Sequence, residues 1–198
     1  MFASAKGSVR RNSMDAFTNI PSNGKIAMKF EGEDADDKLI GVALLTEEDD
    51  VLLASRSGKA IRFMGTDIRE FQSRSSTGVR GMSLKGGDDV ISLSILRRSG
   101  ASPEEREAYL RAAPWKDNEN ETTLSAERMA EMAEREQFIL TVCANGYGKR
   151  SSAYEYRRTG RGGQGITNID NIARNGAVVA SFPAQDQAGR GGSYTVRT

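Results

Sequence analysis

The stretch LLASRSGKAIRF, residues 52–63, decides the fold. It reads as an apolar strand, a turn at Gly58, and a second strand in which Ile61 and Phe63 alternate with Arg62. Alternation with a period of two marks a half-buried strand, and glycine supplies the positive φ that a tight hairpin turn needs. Working outward, STGVRGMSL (76–84) follows as a Gly-led strand and DDVISLSIL (88–96) as a polar turn with another apolar strand. The same order recurs upstream in FASAKGSVRR (2–11), SNGKIAMKF (22–30) and DDKLIGVALL (36–45). It recurs downstream in ILTVCANGYGKR (139–150), GQGITNI (163–169) and NGAVVASF (175–182).

Spacing supports the repeat. The turn glycines Gly7, Gly58 and Gly146 precede the loop glycines Gly24, Gly78 and Gly165 by 17, 20 and 19 residues. Gly7 to Gly58 is 51 residues and Gly58 to Gly146 is 88; removing an insertion of about 38 residues restores the period. Lys25-Ile26-Ala27-Met28-Lys29-Phe30 shows the strand alternation again. The expectation is an all-β fold: a propeller-like array of four-stranded blades, about three repeats, with a helical insertion. The units are 1–50, 51–97 and 138–182, with the insertion at 98–137 and an incomplete blade or disordered tail at 183–198.

The insertion opens with Ser102-Pro103-Glu104-Glu105, a capping box with proline at the first helical position. A second helix starts at Ser125, where Leu124 can staple against Met129. A solvated helical hairpin is expected, with Trp115 between the helices anchoring it to the body.

Composition excludes several chemistries. The 198 residues include no histidine and one cysteine, so imidazole bases, Ser-His-Asp triads, disulfides and structural zinc sites are out of reach. No phosphate-binding P-loop or HExxH occurs, and Gly160-Arg161-Gly162-Gly163-Gln164-Gly165 opens no helix, so it reads as a mobile Arg-bearing loop. An enzyme in its own right has no supporting constellation. No apolar run approaches the roughly 20 residues of a membrane span and no signal peptide begins the chain, which points to a soluble cytoplasmic protein without a membrane partner.

The charge is +1 overall, from 28 Lys/Arg and 27 Asp/Glu, but it is unevenly spread. Residues 97–137 carry 7 Lys/Arg and 10 Asp/Glu, which leaves 21 and 17, or +4, for the rest. Four residues after each turn glycine stands an arginine: Arg11, Arg62 and Arg150, with Arg10 and Lys149 doubling two of them. Lys25 and Lys29, Arg74 and Arg80, and Arg157, Arg158 and Arg161 add charge in the following loops. In stacked blades these twelve residues are expected to form a basic rim that neutralises the backbone of double-stranded DNA without reading sequence.

At these residues the chain resembles the C-terminal domain of the bacterial DNA gyrase A protein, through KLIGVALL, LLASRSGKAIRF, STGVRGMSL and NGYGKR. The resemblance covers about 1–97 and 138–182, and the helical insertion is similar to one in alphaproteobacterial members. It implies a β-pinwheel whose basic rim wraps DNA and so supports ATP-dependent negative supercoiling by a type IIA topoisomerase. It also implies a cytoplasmic, nucleoid-associated protein whose partners are DNA, the remainder of the gyrase A protein, and the gyrase B protein. No catalytic site and no cofactor are implied in this chain, since ATP and Mg belong to gyrase B. The family's QRRGGKG box is absent, and Arg157-Arg158-Thr159-Gly160-Arg161-Gly162-Gly163 echoes it. With about three repeats, the chain is expected to be a fragment or a truncated product. The corresponding C-terminal domain of topoisomerase IV, or a propeller-type interaction scaffold, are the competing readings.

Overall fold

Among the described residues every pairing between two strands of a sheet is antiparallel, and the strands fall into three sheets packed in series. The computed structural model describes residues 1–113, 122–170 and 173–184. Trp115 and residues 185–198 of the tail, for which an anchor and an incomplete blade were expected, lie outside the described residues.

The strands in chain order are β1 (Phe2–Ser4), β2 (Ser8–Arg10), β3 (Leu39–Val42), β4 (Asp49–Ser55), β5 (Lys59–Met64), β6 (Val79–Arg80) and β7 (Val90–Arg97). After helices α1 (Pro103–Arg111) and α2 (Ala126–Glu134) come β8 (Phe138–Cys143), β9 (Gly148–Ser152), β10 (Ile166–Thr167) and β11 (Val178–Ala184). The sheet orders are β3-β1-β2-β6, β10-β5-β4-β7 and β11-β8-β9. The all-β class and the threefold unit are as expected. The blade boundaries are not, because the fourth strand of each of the first two sheets comes from the next repeat. β6 pairs with β2, and β10 with β5. Alternation in a strand says which side chains share a face; it carries nothing about which neighbour supplies the pairing edge.

The exchange repeats in detail. Val79 faces Val9 and Ile166 faces Ala60. The carbonyl of each turn glycine then accepts two N–H groups: Gly81 and Met82 donate to Gly7, and Asn168 and Ile169 donate to Gly58. Gly78 and Gly165, which lead the exchanged strands, sit at φ +96° and +73° with no room for a Cβ, which would lie 2.3 Å from the Val9 and Ala60 carbonyl oxygens respectively.

The alternating strand expected at Gly24–Phe30 does not form. The segment is irregular and Ile26 is 60% exposed. Its counterparts became strands by pairing with the preceding sheet. The third sheet has three strands among the described residues, where four were expected.

Packing follows the pleat. On β4, Val51 and Leu53 enter a core with Ala3, Val9, Ile61, Phe63, Ile68 and Met82, between the first and second sheets. Leu52 and Ala54 face the opposite way, into a core with Leu96, Ile139, Ala153 and Tyr156. A strand covered on both faces reads as an unbroken apolar run, as 51–54 does. β7 packs against both β3 and β11, so these three strands lie together while β6 and β10 occupy the opposite edges.

The insertion is docked on the body. Ser102 and Glu105 form the expected capping box, and Leu124 and Met129 pack on one cluster with buried Tyr109, Met132 and Tyr154. Tyr154 belongs to the turn after β9, and its hydroxyl donates to the Met132 carbonyl at 3.0 Å. Arg128 holds Glu105 through two bonds of 2.8 and 2.9 Å, which ties α2 to the start of α1.

Candidate nucleic-acid interface

A 3-10 turn follows each second strand of a repeat, at Met14–Phe17, Gly65–Asp67 and Ala153–Glu155, each beginning seven residues after its turn glycine. In the second and third repeats the loop after this turn crosses to the preceding sheet. Glu70 bridges Arg11 and Arg158 bridges Arg62 in short parallel pairings. Phe71 N–H donates to the Arg11 carbonyl at 2.9 Å, and Thr159 N–H to the Arg62 carbonyl at 2.8 Å.

This geometry corrects two of the expected DNA contacts. Arg62 is buried: its Nε and Nη2 lie 2.9 Å from Oδ2 of Asp50, and Nη1 donates to the Ala153 carbonyl at 2.8 Å. Burial pushes the Arg62 guanidinium pKa down, and the attraction of Asp50 opposes it. Arg10 is fully buried, donates to the Ser76 carbonyl at 2.7 Å and lies 5.4 Å from the Phe71 ring. The arginine register is therefore largely internal. Arg11 also turns inward, its Nε donating to the Ile68 carbonyl. In both Arg11 and Arg62 the guanidinium clamps the incoming loop of the next repeat.

Three more of the expected residues are committed to local contacts. Lys25 donates to the Ala16 and Asn19 carbonyls, Arg74 donates to the Ile26 carbonyl, and Lys29 pairs with Glu31. Lys149 is half-buried, while Arg150 is exposed with its guanidinium 3.7 Å from the Phe138 ring centre.

The structure brings a different set together. Arg80, Arg157, Arg158 and Arg161 are all exposed, and none has a carboxylate within ion-pair distance among the described residues. The Arg161 guanidinium spans the carbonyls of Asp67 and Arg80, at 3.1 and 2.9 Å. The loop that carries it is pinned rather than loose. Gly162 N–H donates to Gly81, and the Gly163 carbonyl accepts from Ser83. Arg69 joins this edge, exposed and 4.4 Å from the Phe71 ring. Arg69 stands eleven residues after Gly58, as Arg157 does after Gly146, a register present in the sequence but absent from the expected contacts.

Beside this edge a groove of about 430 Å³ separates the insertion from the second and third sheets. Arg98, Arg106, Arg157 and Arg158 line it around the Asp50–Arg62 pair. Arg98 and Arg106 come from a segment whose net acidity concealed them. Arg106 is oriented by the Tyr154 carbonyl at 2.9 Å, and Arg98 lies 3.4 Å from Asp50. Arg69, Arg98, Arg157, Arg158 and Arg161 stand on loops, Arg80 ends β6 and Arg106 is on α1; cations spread in this way suit phosphate contacts. No group of three or more metal-ligating residues occurs among the described residues.

Comparison with known proteins agrees with this architecture. The family model described as DNA gyrase C-terminal domain, beta-propeller, matches residues 1–46, 49–97 and 137–185. The DNA gyrase A protein of Granulibacter bethesdensis is 49% identical over 210 aligned positions, which cover 93% of this chain and 22% of that protein. The DNA gyrase A protein of Rickettsia felis is 46% identical, with 93% and 21% covered. The chain thus spans about a fifth of the length of these curated relatives. Among solved structures, a DNA gyrase A C-terminal domain superposes with a TM-score of 0.64 at 22% identity, over 93% of this chain and 48% of that one. The C-terminal domain of a DNA topoisomerase IV gives 0.66 at 16% identity, over 93% and 46%. These two likenesses bear on the fold.

Proposed function

The chain belongs to the DNA gyrase C-terminal domain family, and from that premise we propose that it binds and wraps double-stranded DNA without sequence specificity. The observation that carries this reading is the edge formed by Arg69, Arg80, Arg157, Arg158 and Arg161, exposed cations on loops and at the end of β6 with no carboxylate in ion-pair distance among the described residues. Phosphates are the ligand such an edge fits, because backbone contacts depend on charge and spacing and not on base identity. Arg98 and Arg106 extend the path into the groove beside the insertion.

In this proposal the chain acts as the C-terminal part of a gyrase A protein in the cytoplasm, on the nucleoid. It works with the rest of gyrase A and with gyrase B to support ATP-dependent negative supercoiling. ATP and Mg act on gyrase B, and this chain binds DNA without a cofactor. The gyrase assignment is preferred over topoisomerase IV because the curated relatives at 45–49% identity carry the gyrase A name.

The test is duplex binding measured against salt. Five phosphate contacts give a slope of log affinity on log salt near −4.5, at about −0.9 per contact. A flat salt response, or equal affinity for a neutral polymer, would refute the proposal.

A further inference from the structure

The groove between the insertion and the second and third sheets gathers charge that its own acids do not balance. Arg62, Arg98, Arg106, Arg157 and Arg158 line it, against Asp50 and Glu107. At its floor one carboxylate serves two guanidinium groups: Arg62 meets Oδ2 of Asp50 at 2.9 Å, and Arg98 lies 3.4 Å from Oδ1. Glu107 reaches Arg106 only at 3.4 Å and its side chain is 66% exposed, so it screens weakly. Burial pushes the Arg62 guanidinium pKa down, Asp50 opposes this, and the charge of Arg158 adds to the fall. Like charges gathered this closely repel, and an anion that enters between them relieves the repulsion.

Exposure falls from the rim of the groove to its floor. Arg157 and Arg158 are exposed, the side chains of Arg98 and Arg106 are 31% and 21% exposed, and that of Arg62 is 9% exposed. A duplex is stiff over tens of base pairs and meets the rim cations, whereas a short flexible anion can follow the series inward. The recess of about 430 Å³ has the size of a small-molecule site. Its aromatic residues are too buried to stack a base. Tyr154 and Tyr156 are 4% and 3% exposed, and their hydroxyls are committed to the Met132 carbonyl and to Asn168. What remains is a set of guanidinium forks, which match phosphate oxygens two at a time.

We propose that this groove binds a small free anion made of linked phosphate groups, an oligophosphate, held by Arg98 and Arg106 on the insertion side and by Arg157 and Arg158 at the rim. The site depends on the docked insertion, since α1 supplies Arg106 and the Tyr154 carbonyl holds it at 2.9 Å. Oligophosphate binding does not rest on the DNA reading. One consequence does: Arg157 and Arg158 also belong to the exposed edge, so a filled groove competes with duplex for them.

Calorimetric titration of the 1–198 chain with inorganic triphosphate at low salt tests this without DNA. One equivalent should bind, and saturating triphosphate should raise Tm, because the ligand favours the folded chain. Arg98→Gln combined with Arg106→Gln should lower the affinity by about tenfold or more, the usual loss when charge-assisted contacts go, with circular dichroism unchanged. Pro103→Glu is an independent arm. Pro103 lines the groove and is exposed at the first position of α1, where an acidic residue suits the helix start. The added carboxylate should weaken triphosphate binding and leave the fold intact. Adenosine triphosphate should bind no tighter than inorganic triphosphate. Absent triphosphate binding, an affinity that neither variant changes, or a clear preference for the nucleotide overturns the proposal. An Arg98→Gln, Arg106→Gln chain that loses duplex affinity but keeps its triphosphate affinity overturns it too, and assigns the groove to the DNA backbone. A chain that binds triphosphate in this way but no duplex upholds the site and refutes DNA wrapping instead.

Discussion

The Arg62 guanidinium and the Asp50 carboxylate form a buried ion pair, Nε and Nη2 each 2.9 Å from the same oxygen, in a position that sequence spacing assigned to DNA. Arg62 also clasps the Ala153 carbonyl at 2.8 Å, so it joins two sheets. Removing it leaves Asp50 buried with Arg98 alone, at 3.4 Å. Arg62→Met is expected to cost about 3–5 kcal/mol, the usual penalty for orphaning a buried charge, as read by urea unfolding. DNA affinity of the remaining folded fraction should be unchanged.

The exposed loop arginines should behave in the opposite way. Replacing Arg157 and Arg158 together by Ser should shift stability by no more than about 0.5 kcal/mol. It should weaken binding to all duplex sequences alike and lower the salt slope by about 2, at roughly 0.9 per phosphate contact. Fluorescence anisotropy at several salt concentrations separates this from loss confined to one sequence, which would indicate base readout.

Strand exchange predicts a contrast between two glycines. Gly87 and Gly165 have φ of +76° and +73°, but nothing surrounds the first while a Cβ on the second would lie 2.3 Å from the Ala60 oxygen. Gly87→Ala should cost about 1–2 kcal/mol, the left-handed penalty alone. Gly165→Ala should cost about 1–3 kcal/mol more, because β10 must leave and the two bonds to the Gly58 carbonyl are lost. Denaturant midpoints of the two variants measure the difference.

Alkaline stability is set partly by Tyr156, whose hydroxyl donates to Oδ1 of Asn168 at 2.6 Å. Burial pushes its pKa up from 10.0 to about 12. The unfolded chain releases this proton near pH 10 and the folded chain holds it, so the stabilisation is complete below pH 10 and is lost as pH rises toward 12. Unfolding free energy should fall in that window by up to about 1.4 kcal/mol per pH unit from this residue. The fall should be shallower in Tyr156→Phe, measured by urea titration across the same range.

The turn glycines, the threefold unit and the two helix starts were legible because each depends on local chemistry: positive φ, period-two alternation and a capping side chain. The exchange of β6 and β10 was not, since two strands of the same pattern fit either edge. The arginine register was legible as a register, but its meaning was not. Asp50 looked like any turn acid, and only the folded chain shows it 1% exposed beneath Arg62. Arg69 and Arg157 repeat at equal distance from their turn glycines, so that part of the interface was readable from spacing alone. Arg98 and Arg106 needed the docking of the insertion through Tyr154, which no local pattern announces.

The exchanged strands also impose an order on synthesis. The first sheet lacks its outer strand until the ribosome has delivered Arg80, and the second until it has delivered Thr167, past the whole helical insertion. In a nascent chain the first and second sheets therefore each wait with an unfinished edge, sealed by the unit translated next. Premature termination within the second or third unit damages two sheets at once: the one being made and the one waiting to be closed.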